Sequence, residues 1–176
     1  MARVAGYGRG HRGPSSDVIA ETAENLGATI IGRNMFGGGP GPWGNERWGA
    51  EPWNGWWGSN PPYHTPVFVL THHPRPSLEM EGGTTFHFVT GGIEEALDRG
   101  RAAAGDRDVR IGGGATVANQ YLAAGLVDEL EIHLVPMVIG AGPRLLDGLG
   151  DTRPAFELIR TVEAPSVTHL KYRIRN

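Results

Sequence analysis

The segment with the clearest chemical character is Val109–Leu122 (VRIGGGATVANQYL), where an apolar strand leads through three glycines directly into a helix. A helix that starts in this way presents unpaired backbone N–H groups at its positive end, and glycine lets an anion approach them closely. The segment therefore predicts a phosphate-binding turn formed by Gly112, Gly113, Gly114, Ala115 and Thr116. The alternative is a tight strand-to-helix turn that needs glycine for steric reasons alone. The pattern departs from a dinucleotide-binding fingerprint at Val117.

Two further segments carry groups that recognise anions. In Ile30–Phe36 (IIGRNMF), Gly32 ends a strand, and Arg33 and Asn34 follow, so that Arg33 is placed to meet a phosphate with two hydrogen bonds. In Val69–Arg75 (VLTHHPR), Thr71, His72, His73 and Arg75 emerge at a strand end, where α/β sheets bind ligands. A solvated arginine is the alternative for Arg33. Adjacent histidines point in different directions, so no metal site is predicted.

All five tryptophans lie between Trp43 and Trp57, in a stretch that is also rich in Gly and Pro. Indole rings stack on flat heteroaromatic rings and on sugar faces. We therefore expect residues 37–64 to form an active-site loop that binds substrate through Trp43, Trp53, Trp56 and Trp57. The alternative is that these rings cap a hydrophobic core.

Composition excludes several classes of protein. The 176 residues include no Cys, which removes disulfides, thiolate metal sites and a cysteine nucleophile. The net charge is −3 and no basic block appears, so nucleic acid is not an expected partner. No apolar run is long enough for a membrane span, and the first eleven residues lack the apolar core of a signal peptide, so we expect a cytoplasmic protein. No serine-nucleophile, Walker A or zinc-protease motif is present, so any chemistry is expected to come from a bound cofactor.

The elements that must position these residues alternate between strands and helices. Hydrophobic spacing predicts one helix that stops at Gly27, with Ile19, Ala23 and Leu26 on its apolar face, and two more at Ile93–Ala104 and Thr116–Ala124. Predicted strands cover Arg3–Ala5, Ala28–Gly32, Pro66–Thr71, Thr85–Val89, Asp108–Ile111, Glu129–Val135, Phe156–Val162 and Val167–Ile174. This order predicts a single α/β domain over residues 1–176, with a mostly parallel sheet and a C-terminal antiparallel hairpin. Residues 1–16 are expected to form a loosely ordered arm.

Several of these segments together resemble one family. The chain is similar, from about Asp17 to Ile174, to the dihydrofolate-reductase-like proteins that share the fold of the reductase domain of the bifunctional riboflavin-biosynthesis deaminase/reductase. The segments that carry the resemblance are IIGRNMF, PVFVLTHHPR, TFHFVTGGIEEAL, the run Ile111–Gly148 and the ending SVTHLKYRI. The resemblance implies a three-layer α/β/α fold, an NADPH cofactor and a homodimer.

The resemblance also implies roles for individual residues. Gly32 and Arg33 would contact the phosphates of NADPH, Thr71 and His72 would lie near the 2′-phosphate, and Gly113–Thr116 would hold the pyrophosphate. Residues Pro136–Gly142 would border the nicotinamide and the substrate. The family's first strand usually ends in a Ser-Leu-Asp-Gly-Phe-like motif, whereas this chain has Arg3–Tyr7, with Ala5 in place of the Asp.

The leading hypothesis is an NADPH-dependent reductase of a small heteroaromatic or conjugated substrate, such as a pterin-like or pyrimidine-like ring. Its catalytic residues stay unassigned, because Ala5 removes the expected acid, and Glu131, His133 and Glu46 are only possible substitutes. The alternative is a small-molecule-binding or resistance protein, or an enzyme without redox chemistry, that keeps the fold but has lost hydride transfer. A carbohydrate-binding module is a weaker third hypothesis, because the chain lacks an all-β pattern.

Overall fold

The computed structural model describes residues 13–44 and 53–175. The helices are α1 (Pro14–Glu24), α2 (Arg33–Phe36), α3 (Gly92–Ala104) and α4 (Ala115–Ala123). The strands are β1 (Leu26–Gly32), β2 (Pro66–Leu70), β3 (Leu78–Glu79), β4 (Thr85–Val89), β5 (Asp108–Gly113), β6 (Glu129–Leu134), β7 (Ala155–Ala164) and β8 (Val167–Arg175). In the described part of the chain, no helix is both long and apolar enough to cross a membrane.

The chain forms two compact units. The larger unit consists of Asn25–Leu126 and Gly142–Arg153, and the smaller unit holds α1, Val127–Ala141 and the residues from Pro154 onward. The larger unit contains a five-stranded sheet of order β3-β4-β2-β1-β5, and the smaller unit contains a three-stranded sheet of order β6-β8-β7. The fold is thus mixed α/β, as the alternation of strands and helices predicts.

The sheet of the larger unit is parallel except at β3. Strands β4, β2, β1 and β5 run in the same direction, and β3 pairs antiparallel with β4. Every residue of β1 is buried, which is typical of a central strand that is covered on both faces. One face packs against α3, where a Cβ added to Gly100 would lie 3.2 Å from Cγ1 of Val109 and 3.6 Å from Cδ1 of Ile30.

The opposite face of this sheet is covered by aromatic side chains. Its buried cluster consists of Ile31, Phe36, Val67, Val69, Phe86 and Phe88. Partly buried residues pack against this cluster, namely Met35, Trp43, Trp53, Trp57, Tyr63, Leu78 and Met80. The tryptophan-rich segment therefore stands where a second layer of helices would cover an ordinary α/β sheet.

The sheet of the smaller unit is antiparallel throughout. Strand β8 lies between β6 and β7, and Ala164 pairs with Val167 at the tight end of the β7–β8 hairpin. Helix α1 packs against β7 and β8. The predicted hairpin is confirmed, and β6 extends it into a sheet.

Several predicted boundaries need correction. The first helix ends at Glu24 rather than at Gly27, and Leu26 and Gly27 belong to β1. Gly27 is needed there for packing, because a Cβ would lie only 2.6 Å from Cβ of Ala104. Gly112 and Gly113 belong to β5, so the glycine turn Gly112–Gly114 begins inside the strand and only Gly114 lies between β5 and α4. The short strand β3 was not predicted. The predicted strand Arg3–Ala5 lies outside the described residues.

Candidate functional site

The predicted anion-binding residues follow the carboxyl ends of neighbouring parallel strands in the larger unit. Gly32 ends β1, Thr71 follows β2, and Gly113 ends β5. Strand β1 pairs with both of the others: Gly32 is opposite Leu70, and Ile31 is opposite Gly113. The three segments therefore open at one edge of the sheet, which is where α/β folds bind ligands.

Gly32 lies against the first turn of α4. A Cβ added to Gly32 would lie 2.8 Å from Cγ2 of Val117, 3.8 Å from the carbonyl oxygen of Gly113 and 3.9 Å from the amide nitrogen of Gly114. Any side chain at position 32 would thus push the helix away from β1. The two glycine segments that the sequence singles out are brought together by the fold.

The glycine turn before α4 has one tight position, Gly112, and one open position, Gly114. Gly112 is confined, because a Cβ there would lie 3.2 Å from Cγ2 of both Ile31 and Thr29. Gly113 has a φ of +113°, which favours glycine, and the Gly113–Gly114 peptide bond is cis. A Cβ on Gly114 would meet no atom of residues 13–44 or 53–175 within 4 Å. The steric reading of the glycines thus holds at Gly112, while the space beside Gly114 is accessible to a ligand.

Helix α4 begins directly at this open space. Its first intrahelical bonds run from the amides of Val117 and Ala118 to the carbonyl of Gly114. The amides of the first residues of a helix have no intrahelical acceptor, so those of Ala115 and Thr116 are suited to bind an anion at the positive helix end. This backbone arrangement fits the phosphate groups of a dinucleotide.

Arg33 begins α2 immediately after Gly32. Its Nη2 donates to the carbonyl of Gly39 at 3.1 Å, and its Cζ lies 3.0 Å from the centroid of the Trp43 ring. The guanidinium is therefore held by the tryptophan-rich segment instead of being a solvated surface group. Asn34, the next residue of α2, is exposed.

The segment after β2 is also tied to the tryptophan-rich loop. Oγ1 of Thr71 accepts a hydrogen bond from the backbone N–H of His73, while the His72 side chain is exposed. Arg75 donates to the carbonyl oxygen of Trp53 and to Oδ1 of Asn54, and its Cζ lies 4.9 Å from the Trp43 centroid. Two guanidinium groups thus flank one indole ring, which concentrates positive charge at this edge of the sheet.

Three of the four tryptophans predicted to bind substrate pack on the core. Trp43 contacts Phe88 with the ring centroids 4.9 Å apart, Trp57 stacks on Phe86 at 5.9 Å, and Trp53 belongs to the same cluster. The core-capping alternative therefore describes Trp43, Trp53 and Trp57. Trp56 is different, because 64% of its surface is exposed. Its role in substrate binding, like that of the other three, stays a prediction.

The glycines of the loop allow these rings to pack. Gly37 and Gly38 have φ values of +88° and +87°, and a Cβ on either would lie 3.1 Å or 2.9 Å from the Trp53 ring. The indole N–H of Trp53 donates to the carbonyl of Phe36 at 2.8 Å. At Gly37 and Gly38 the Trp53 ring therefore needs a backbone without side chains beneath it.

Asn119 of α4 is a buried polar residue to which the sequence analysis assigned no role. The side-chain amide of Asn119 donates to the carbonyls of Asp147 (2.7 Å) and Arg144 (3.3 Å), and its Oδ1 accepts from the N–H of Leu146 (2.9 Å). Asn119 thereby fastens the loop at residues 144–147 to the helix that begins at the glycine turn. The sequence signal for this role would have been a polar residue among the apolar positions of the predicted helix Thr116–Ala124.

Two ionisable groups on the aromatic face have pKa values shifted by burial. Burial raises the pKa of the Tyr63 phenol to about 12, although the positive charge of Arg110 opposes the shift. Burial likewise lowers the pKa of the Arg110 guanidinium. Both groups keep their usual charge near neutral pH, so neither titrates in that range.

The remaining predicted site residues belong to the smaller unit or lie outside the described residues. Pro136 belongs to the smaller unit, where it borders an open concavity lined by residues 134–138 and 163–168. Glu131 and His133 lie in β6 of the same unit. Glu46 and Ala5 lie outside the described residues.

Comparison with known proteins adds a family and a fold. The family model described as the RibD C-terminal domain matches residues 10–170 of the chain. A search of curated proteins gives no significant match.

Solved structures of similar fold include three informative examples. A putative riboflavin biosynthesis protein from Shewanella sp. PV-4 has 20% identity and a TM-score of 0.57, with 89% of this chain and 78% of that chain covered. A pyrimidine reductase-like protein from Corynebacterium diphtheriae has 15% identity and a TM-score of 0.54, with 92% and 81% covered. Dihydrofolate reductase from Enterococcus faecalis, complexed with NADP(H), has 19% identity and a TM-score of 0.53, with 92% and 83% covered. The fold is dihydrofolate-reductase-like.

Proposed function

Because the chain belongs to the RibD C-terminal domain family, we propose that it is an NADPH-dependent reductase of a small, flat heteroaromatic or conjugated substrate of the pyrimidine or pterin type. The observation that carries the proposal is the meeting of Gly32 with the glycine turn at the start of α4. Among the described residues the backbone is open beside Gly114, and α4 begins with the amides of Ala115 and Thr116 directly after it. A dinucleotide pyrophosphate has the charge and the size to occupy it.

The positive charge beside this space favours NADPH over NADH. Arg33 and Arg75 lie close to the Trp43 ring, and His72 is exposed after β2. The 2′-phosphate adds negative charge at the adenosine end of the cofactor, and guanidinium groups bind phosphate strongly. An NAD site, by contrast, usually offers a carboxylate to the ribose hydroxyls.

The chain's own contribution would be binding, orientation and exclusion of water. NADPH supplies the hydride when bound. The amides of Gly114–Thr116 would hold its pyrophosphate, Gly32 would keep β1 close to α4, and Arg33 would neutralise phosphate charge. Trp56 offers an exposed aromatic face on which a flat substrate can stack.

A titration of the full chain with NADPH and NADH tests the proposal, and NADPH consumption in the presence of pyrimidine and pterin substrates then tests the reaction. We expect NADPH to bind at least tenfold more tightly than NADH, and the ratio to fall in Arg33→Gln. Absence of NADPH binding at millimolar concentration would overturn the proposal.

A second function is favoured by one observation of the sequence. Ala5 stands where the family has an Asp, so a protein that binds the ligand but does not reduce it would explain the loss of the acid. In that case pyrimidine or pterin ligands would quench tryptophan fluorescence while NADPH absorbance stayed constant.

We also propose that the protein is a homodimer. Support comes from the apolar surface of the smaller unit, where Val138 is 96% and Leu158 is 53% exposed. Further exposed apolar residues of this unit are Leu134, Val135, Met137, Ile139, Phe156 and Ile159. Apolar patches of this kind usually mark surfaces that a partner covers.

A further inference from the structure

Two strands of the smaller unit bring together three side chains that commonly bind metals. Glu131 and His133 are two residues apart in β6, so they project from the same face of the sheet. His169 of β8 is the cross-strand partner of His133. The fold thereby collects two imidazoles and one carboxylate from residues that are distant in sequence.

The potential ligand atoms of these side chains converge. One ligand atom from each residue lies within 4.8 Å of the other two. Nδ1 of His133 is 2.6 Å from Nδ1 of His169, so both imidazoles turn the same nitrogen towards a common point. His169 is 4% exposed, whereas His133 is exposed. The site thus has one fixed ligand and one that is free to adjust.

Ser15 of α1 contacts one ring nitrogen of His169 and leaves the other ring nitrogen facing His133. Its Oγ lies 2.9 Å from Nε2 of His169. A histidine that binds a metal through one nitrogen usually donates the N–H of the other to an oxygen, which sets the tautomer and the ring orientation. With Nε2–H donating to Ser15, the lone pair of His169 is on Nδ1 and faces His133.

The neighbouring charges leave the carboxylate of Glu131 available. Lys171 faces Glu131 across the strands, yet its Nζ pairs with Oε2 of Glu129 at 2.7 Å. On the other side of β8, Arg160 pairs with Glu21 of α1. Lys171 and Arg160 thus have ion-pair partners other than Glu131.

We propose that Glu131, His133 and His169 form a site for a divalent transition-metal ion of the Zn²⁺ type, with Ser15 as the outer-shell partner of His169. Imidazole and carboxylate are both ligands for zinc, and three protein ligands leave a fourth position open to water. Tetrahedral coordination with bonds of about 2.1 Å would separate the two nitrogens by about 3.3 Å. The exposed ring of His133 needs to retreat by less than 1 Å for this, and its own proton would then be on Nε2, which leaves Nδ1 as the ligand atom.

The proposal is tested with the full chain, freed of any affinity tag and of metal, by equilibrium dialysis against Zn²⁺ and by the visible absorption of bound Co²⁺. We expect one ion per chain and a rise in Tm on addition of Zn²⁺. His133→Asn and Glu131→Gln each remove one ligand and should weaken binding at least about 100-fold, while Ser15→Ala should weaken it about tenfold. His133 is exposed, so its substitution should leave the fold intact, and circular dichroism of the metal-free variant checks this.

Two matched variants serve as controls. Glu163→Gln removes a carboxylate from the opposite face of the same sheet, and His64→Asn removes an imidazole of the larger unit. Both should bind Zn²⁺ as the unmodified chain does. Failure of the unmodified chain to bind one Zn²⁺ at millimolar concentration would overturn the proposal, as would equal affinity in folded His133→Asn. Neither outcome bears on NADPH binding, which is measured separately.

Discussion

The guanidinium of Arg33 lies over the indole ring of Trp43, with Cζ 3.0 Å from the ring centroid. Trp43 in turn contacts Phe36 and Phe88 of the buried cluster, and its N–H donates to the carbonyl of His73. A residue expected to bind phosphate is thus oriented by a residue expected to bind substrate. The tryptophan-rich loop would then influence cofactor binding indirectly, because Trp43 holds the Arg33 guanidinium in place.

Trp43→Leu should destabilise the fold and weaken NADPH binding together. The substitution removes the aromatic platform of Arg33 and leaves a cavity beside Phe88, so we expect a loss of about 3 kcal/mol in the free energy of unfolding. Urea denaturation measures the loss, and titration with NADPH measures the binding. Trp56→Leu is the matched control: its ring is exposed, so the stability should change by less than about 1 kcal/mol. Equal losses of stability in the two variants would contradict this account of the loop.

Gly32→Ala should strain the contact between β1 and α4. The new methyl group would meet Cγ2 of Val117 at 2.8 Å, and overpacking of this kind costs about 2 kcal/mol. Val117→Ala in the same chain should recover part of the loss, because it removes the atom that the methyl group strikes. A double-mutant cycle by urea denaturation measures the coupling. Strictly additive losses would show that the two residues do not meet.

Gly114→Ala separates ligand binding from stability at the same turn. A Cβ at this position meets no atom of the described residues within 4 Å, so the free energy of unfolding should fall by less than about 1 kcal/mol. The methyl group would nevertheless enter the space proposed for the pyrophosphate, and NADPH affinity should drop at least tenfold. Calorimetric titration of the folded variant provides the measurement. Unchanged affinity would place the phosphates elsewhere.

His87 should make the fold less stable in mild acid. Burial, together with the positive charge of Arg99, lowers the pKa of His87 below its ordinary value of 6.5. The unfolded chain therefore binds more protons than the folded chain as the pH falls below that value, and the free energy of unfolding decreases. This loss should be smaller in His87→Gln. The pH dependence of Tm in the two proteins measures the difference, and parallel curves would contradict the assignment.

The proposed homodimer should depend on the exposed apolar residues of the smaller unit. Sedimentation of the unmodified chain should show a dimer, and Leu158→Glu should shift it towards the monomer, because burying an unpaired carboxylate is costly. Asp98→Asn, on an exposed position of α3 in the larger unit, should leave the sedimentation unchanged. A monomer at all concentrations of the unmodified chain would refute the dimer.

Much of the fold was predictable because its signals are local. The apolar runs at Pro66–Leu70 and Thr85–Val89 and the helix closed by Gly105 match the structure closely, since periodicity and glycine caps act over a few residues. Gly27 was misread as a helix end, because its role depends on contact with Ala104, far along the chain. The sequence cannot show such a contact before the topology is known.

In the candidate site, too, the local features were predictable and the contacts between distant segments were not. The glycine turn at Gly112–Gly114 was found from its sequence, and its meeting with Gly32 was not, because that depends on β1 pairing with β5. The tryptophans stood out by composition. Their packing against Phe36, Phe86 and Phe88 could not be predicted, because it depends on which face of the sheet α3 leaves uncovered. The pairing of His133 with His169 depends on the register of β6 against β8, to which no local motif points.

The central claim is that the edge formed by Gly32, the glycine turn and the start of α4 binds NADPH. Calorimetric titration of the full chain with NADPH, in parallel with NADH, tests it most directly. The account predicts one NADPH per chain, bound at least tenfold more tightly than NADH, with the affinity reduced in Gly114→Ala while the protein stays folded. No binding of either nucleotide at millimolar concentration would contradict it.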